Sequence, residues 1–376
     1  MVLKHCSKQC DPHRIGRGHR WWPFLFLAVV NMPQQSVALE NEKNNSRVSL
    51  TFSSRSVSEA LPLKEFAGEW EQPPVSGDST WTRNRLDQGV RYGNWSVGYT
   101  QRFDYRLQYN DSTTDLYYRD ENDLPAVQGD VPVYLQIDQL RAQGIKVGYG
   151  YRWQSGLFLQ MDISMLEASD FQAGVLEGTL NAEGDFFSGT ASLNYRYTED
   201  LLLEHQFEQP EGRGMAVDLA IGYVGSARSV RLALQDLYNR IDWEAAPHTY
   251  GNFDTIDRDV EDKVQLNPLF SGKRLLEDYR QSMPLYGTLS YAEHIDAGAD
   301  VTLDVEYYAG ELRYTTGLRW PGVPGNPYLG YEVEEQQWLL SLADDSGLWG
   351  FQLGMDDTDW EQANSLTLAF SLGASW

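Results

Sequence analysis

The feature that most constrains this chain is a period of two. Ile145, Val147, Tyr149, Tyr151 and Trp153 alternate with Lys146, Gly148, Gly150 and Arg152. After Gln154-Ser155-Gly156, the apolar positions resume at Leu157, Leu159, Met161, Ile163 and Met165, opposite Gln160, Asp162 and Ser164. Successive side chains of a strand point to opposite faces, so 145–165 reads as a hairpin with one apolar face and one mostly polar face, Phe158 excepted. The same alternation recurs over 187–197, 217–223, 230–234, 285–291, 301–307, 312–320, 338–342 and 349–355. Trp95, Val97 and Tyr99 read as leading through a short turn near 101 to Phe103, Tyr105, Leu107 and Tyr109.

About ten tilted residues cross an apolar band roughly 25 Å tall, and these runs have that length, with aromatics gathered near their ends. Outside the extreme N-terminus no run of about 20 apolar residues exists, which excludes a helical membrane protein. The expected fold is therefore all-β: a transmembrane, antiparallel, up-and-down β-barrel of about fourteen strands, within the range of about twelve to sixteen. Tight connections are expected near 101, 155, 199, 226, 295 and 345, alternating with longer ones near 87–91, 119–132, 179–185, 209–213, 244–273, 321–327 and 358–363. Ala309-Gly310 resembles a turn, but a turn there would put the C-terminus outside the cell, so 299–320 is read as one long strand with a bulge.

At the N-terminus, Lys4, Lys8, Arg14, Arg17 and Arg20 precede the short apolar stretch 21–30, and Ser36 and Ala38 offer small residues before a cleavage site. Residues 1–38 are thus expected to be a secretory signal peptide. Cys6 and Cys10 both lie in it, leaving no thiol, disulfide or Cys-ligated metal in the mature chain. Residues 39–77 are mostly polar, with Pro62, Pro73 and Pro74. They read as a periplasmic arm or a plug in the lumen, although Val48, Leu50 and Phe52 would allow an extra strand from 48 onward. The barrel proper is then placed at 78–376.

The chain ends on a strand whose one face is Leu366, Leu368, Phe370, Leu372, Ala374 and Trp376. This ending resembles the terminal strand of Gram-negative outer-membrane β-barrel proteins. The resemblance implies that Leu368, Phe370, Leu372 and Trp376 form the signal read by the barrel-assembly machinery, and that outer-membrane lipid and lipopolysaccharide surround the wall. A fourteen-stranded barrel with an N-terminal hatch also resembles the long-chain fatty-acid transporters of the FadL type. Their Asn-Pro-Ala is missing here, and Asn267-Pro268 and Asn326-Pro327 are expected in loops instead.

No catalytic motif is present. His205, His248 and His294 lie far apart, and no nucleophile elbow, phosphate loop or dinucleotide fingerprint occurs. No catalytic residue, metal or cofactor is expected, and the formal net charge of -24 argues against nucleic acid. On this register Arg106, Lys146, Arg152, Arg196, Arg231, Arg313 and Arg319 face the lumen, with Asp104, Asp162, Glu204, Asp218, Asp304 and Glu306. Opposed charged rows sort polar solutes, or else pair and stiffen the wall. The first functional expectation is a porin-like channel passing small polar solutes or ions, favouring cations through an acidic mouth. The alternatives are a gated transporter of hydrophobic or glycan ligands, and a surface protein acting in adhesion or envelope integrity through the acidic loop 244–273.

Overall fold

The computed structural model describes residues 46–376, apart from 67, 126, 184–185, 201–207, 257–258, 261–262, 265–266 and 296–297. The expected signal peptide, Glu204 and His205 lie outside the described residues. Eighteen strands are described. The first eight are β1 (Arg47–Ser58), β2 (Ser79–Tyr92), β3 (Trp95–Tyr109), β4 (Gly129–Arg152), β5 (Leu157–Glu183), β6 (Phe186–Tyr197), β7 (Gly212–Val224) and β8 (Arg228–Ile256). A tip follows with β9 (Asp259–Val260) and β10 (Lys263–Val264), then β11 (Asn267–Gln281), β12 (Tyr286–Ile295), β13 (Ala299–Tyr308) and β14 (Glu311–Arg319). The last four are β15 (Tyr328–Glu332), β16 (Trp338–Ala343), β17 (Trp349–Met355) and β18 (Ser365–Ser375). Two helices, α1 (Leu63–Phe66) and α2 (Asp111–Glu121), sit in connections.

The sheet closes on itself. β1 pairs with β18 along one edge and β2 along the other, and the Trp376 and Ser46 backbones exchange hydrogen bonds of 3.0 and 3.1 Å at the seam. Going round, β1 to β5 are followed by β7, β8 and β12 to β18, an antiparallel barrel of fourteen strands. Closure leaves no unpaired edge in the wall, which is the condition for a sheet to cross lipid. The outward positions are the apolar ones read from the sequence. Val97, Ile145, Val147, Leu159, Met161, Leu303, Leu312, Leu340 and Phe351 are all exposed, framed by Trp95, Tyr151, Trp153, Trp349 and Trp376 near the chain ends and by Tyr307, Tyr314 and Trp338 near the other rim. Such an apolar belt with aromatic girdles is what lipid requires of a barrel wall.

The connections after Tyr92, Arg152, Val224, Ile295, Arg319 and Ala343 share one end with Ser46 and Trp376. In barrels of this kind that end is periplasmic. At the outer end the wall is uneven. β4, β5 and β8 run far past it, β6 stacks above β7, and β11 stacks above β12, giving a five-stranded extension ordered β4-β5-β6-β8-β11. The extension's β4 edge is capped by α2. Asn110 Nδ2 and Ser112 Oγ donate to the Pro132 carbonyl (3.3 and 2.5 Å), and the Tyr134 N–H donates to Thr113 Oγ1 (2.9 Å). Pro132, lacking an N–H, suits an edge position.

Several expectations need correction. Residues 47–58 form a wall strand, the extra strand that 48–52 allowed, and the described part of 59–77 is its connection to β2, carrying α1. The anticipated loop at 87–91 and turn at 101 lie inside β2 and β3, whose turn is Gly93-Asn94, with Gly93 at a φ of 56°. Asp87 and Arg91 face the lumen while Gln88 and Gln101 sit on the outward face, and none of them breaks the strands. Ala309-Gly310 is a two-residue turn and not a bulge. Both residues are left-handed (φ 54° and 102°), as a tight hairpin turn requires. Much of the acidic loop 244–273 is β8 and β11, and 321–327 lies at the periplasmic end. β6 belongs to the outer extension, so the expected periplasmic turn near 199 does not follow it.

Candidate functional site

Inward positions alternate with the lipid-facing ones, so the lumen inherits the polar half of each strand. At mid-height this half is dominated by arginine. Arg83 and Arg85 come from β2 and Arg102 from β3; Asp104 on β3, Asp218 on β7 and Asp236 on β8 face them. Arg102 Nη1 lies 2.7 Å from Asp236 Oδ1, and Arg83 Nη2 and Arg85 Nη2 lie 3.0 and 2.5 Å from Asp236 Oδ2. Arg102 Nε and Arg83 Nε reach the two oxygens of Asp104 at 2.6 and 3.3 Å, and Arg85 Nη1 reaches Asp218 at 3.0 Å. Three guanidinium groups thus meet three carboxylates.

Asp236 gets there through a fault in the strand. Between Val217 and Leu219 the β7–β8 register shifts, β8 carrying the surplus residues, and Asp236 adopts a left-handed φ of 59°. Aspartate tolerates that region better than most residues. Its own N–H donates to Asp218 Oδ1 at 2.8 Å, fixing the kink with a member of the network. Asn239 then bridges the break between β11 and β12, its side chain exchanging hydrogen bonds of 2.8 and 2.6 Å with the Met283 backbone.

A second network fills the neighbouring sector. Arg55 on β1 pairs with Glu306 (2.9 Å) and Glu332 (2.5 Å), Arg313 pairs with Glu335 (2.8 Å) and Glu311, and Tyr286 donates to Glu306 at 2.6 Å. Aromatic rings join the two networks. Trp81 and Tyr308 lie 4.7 Å apart, Arg83 stacks 4.3 Å over Tyr286, and Arg313 stacks 5.1 Å over Trp81. Asp104 is 0% exposed, Asp236 3% and Arg102 5%, so these groups are packed away from water. Charges this deep persist because each is paired and hydrogen-bonded.

Towards the outer end the inner wall turns apolar. Leu140 and Ala142 on β4, Leu166, Ala168, Phe171 and Ala173 on β5, and Ile241 and Trp243 on β8 pack as one cluster with Met283 and Tyr279. The rings of Phe171 and Trp243 stack at 4.3 Å, and those of Phe171 and Tyr279 at 5.5 Å. One surplus residue, Ser169, makes this possible. Arg141 pairs with Asp170 while Ala142 pairs with Ala168, so even-numbered residues face inward below the bulge and odd-numbered ones above it. Gly212 leaves the room Trp243 needs, since a Cβ there would come within 2.7 Å of the indole.

The expected pore-lining residues separate by position. Asp104 and Asp218 belong to the first network, and Glu306 and Arg313 to the second. Nearer the periplasmic end, Lys146 pairs with Asp87 at 2.5 Å, Asp162 accepts from Gln160 at 2.8 Å, and Arg231, Asp304 and Arg319 surround a small crevice. Arg106 and Arg152 face inward opposite Trp81 and Phe158. Arg196 does not line the wall. It lies on β6 in the extension, paired with Glu277 at 2.9 Å. Sequence reading missed Arg55, Arg83, Arg85, Arg102, Asp236 and Glu332. The phase shift from Leu166 and Ala168 to Phe171 and Ala173, and the adjacent exposed pair Leu237 and Tyr238, were the available signals of kinked strands.

No family model matches this chain, and no curated protein does. Among solved structures it is similar to the TodX deltaS2S3 mutant monoaromatic hydrocarbon channel, at 10% identity over 93% of this chain and 95% of that one, with a TM-score of 0.47. It is also similar to the toluene transporter TodX of P. putida (10% identity, 90% and 89% covered, TM-score 0.42) and to the CymD monoaromatic hydrocarbon channel (10%, 93% and 94%, TM-score 0.33). Likenesses this distant carry neither substrate nor residue roles to this chain.

Proposed function

We propose that this protein is a gated transporter of small hydrophobic ligands in the outer membrane of a Gram-negative bacterium, closed in the conformation described. The observation that carries this reading is the vertical order of the lumen: an apolar, aromatic inner wall at the outer end, and beneath it a fully paired ring of buried charge. A polar solute meets no continuous hydrated path, so the lumen does not support a general porin. An apolar ring can exchange places with rings in the Phe171–Trp243–Tyr279 stack, gaining burial and offset stacking. Passage beyond it requires the arginine–aspartate ring to part. The lumen, and not the likeness to the hydrocarbon channels, supports this proposal.

Tryptophan fluorescence of the refolded protein tests it. A small apolar aromatic such as naphthalene is expected to change the emission saturably, and Trp243→Phe to remove most of the change. A saturable response to an oligosaccharide with none to naphthalene would replace this reading with a glycan transporter.

A further inference from the structure

On the periplasmic side of the ring, the inner faces of β8, β12, β13 and β14 frame a crevice of about 20 Å³, lined by Ser229, Arg231, Ser290, Thr302, Asp304 and Arg319. That is room for about one water-sized particle. Two guanidinium groups share it. Arg319 is 7% exposed and stacks 5.7 Å from the Tyr328 ring. Directly across the strands, the Asp300 carboxylate is engaged by His294 Nδ1 at 2.9 Å. Arg231 stands opposite Ser290 and Gly222, neither of which carries charge. Among the described residues neither arginine has a carboxylate oxygen within 4 Å, and the Nε atoms of both, with Thr302 Oγ1, are buried without a hydrogen-bond partner. Asp304 is the one acid in the lining, and it accepts from the Ser290 hydroxyl.

The crevice leaves two guanidinium groups without a direct carboxylate partner: Asp304 acts on Arg319 and Asp162 on Arg231, both from beyond 4 Å. Elsewhere in this lumen every buried arginine of the two networks finds carboxylates at 2.5–3.3 Å. Unpaired buried charge is costly, and donors left without acceptors add to the cost. A monovalent anion supplies the direct partner that both guanidinium groups lack and the acceptor that their N–H groups need. We propose that this crevice binds one small monovalent anion of chloride's size, held by Arg231 and Arg319 with the hydroxyls of Ser229 and Thr302. It ties β8 to β14 across two intervening strands, and binding to the folded state alone stabilises the barrel by mass action.

Crystals of the full chain grown in bromide give the direct test. An anomalous peak within about 3.5 Å of both guanidinium groups is expected; a bridging water only, with no anomalous signal, overturns the proposal. In detergent, the midpoint of the thermal shift on gels is expected to rise with sodium chloride and not with sodium isethionate at equal ionic strength. Arg231→Gln and Arg319→Gln are expected to lose that rise while still folding, as judged by retained heat-modifiable mobility. Asp304→Asn separates the anion from simple internal pairing. It should tighten chloride binding about tenfold if an anion competes with Asp304. Loss of stability with no gain in chloride response would show that Asp304 itself neutralises the arginines, and would sink the idea.

Discussion

Asp236→Asn is expected to leave the barrel folded but less stable by about 3–5 kcal/mol, and to give it a conductance that the unaltered chain lacks. Asparagine is among the residues that adopt the left-handed conformation readily, so the kink at 236 survives and only the charge is lost. Arg83, Arg85 and Arg102, which converge on this carboxylate, are then left with Asp104 and Asp218. Three cations against two anions, all deeply buried, is the arrangement that costs most, because removing one partner strands the others away from water. The ring then has reason to open and hydrate. Combining Asp236→Asn with Arg85→Leu restores the balance and is expected to recover much of the stability, a coupling that a double-mutant cycle measures directly. Equal and additive losses from the two changes would show that the ring does not act as a unit.

Deleting 46–58 is expected to abolish the folded barrel altogether. β1 is hydrogen-bonded to β18 and to β2 along its length, and its loss exposes two edges inside the membrane. It also removes Arg55, leaving Glu306 and Glu332 buried without their cation. The expected result is loss of heat-modifiable mobility on gels and failure to insert into lipid vesicles. A plug would behave oppositely: its deletion would leave an intact barrel with an opened pore.

How much of this was legible from the sequence follows from the range of each interaction. The hairpin 145–165 was readable because its alternation is local and complete. The same register puts Asp104, Asp218, Glu306 and Arg313 on the face where the two charge networks form. β1 escaped because its alternation fades after Phe52 into Ser54 and Ser56, so too little apolar face remained to suggest a crossing. Ala309-Gly310 was misread because the strand count was already forced by the C-terminus. The strand total agrees although several individual boundaries moved, so about fourteen strands emerged from a partly wrong topology. The ring could not be read at all. It joins residues 83, 85 and 102 to residue 236, more than a hundred positions away, through a strand fault that periodicity records only as noise.

The central claim is that the lumen is closed by paired charge and opens only when that pairing is broken. Planar-bilayer recording of the refolded full chain tests it most directly. Silence across a wide voltage range is expected for the unaltered protein, and discrete conductance steps for Asp236→Asn. A steady, voltage-independent conductance from the unaltered chain would contradict it, because ions would then be passing a ring described here as sealed.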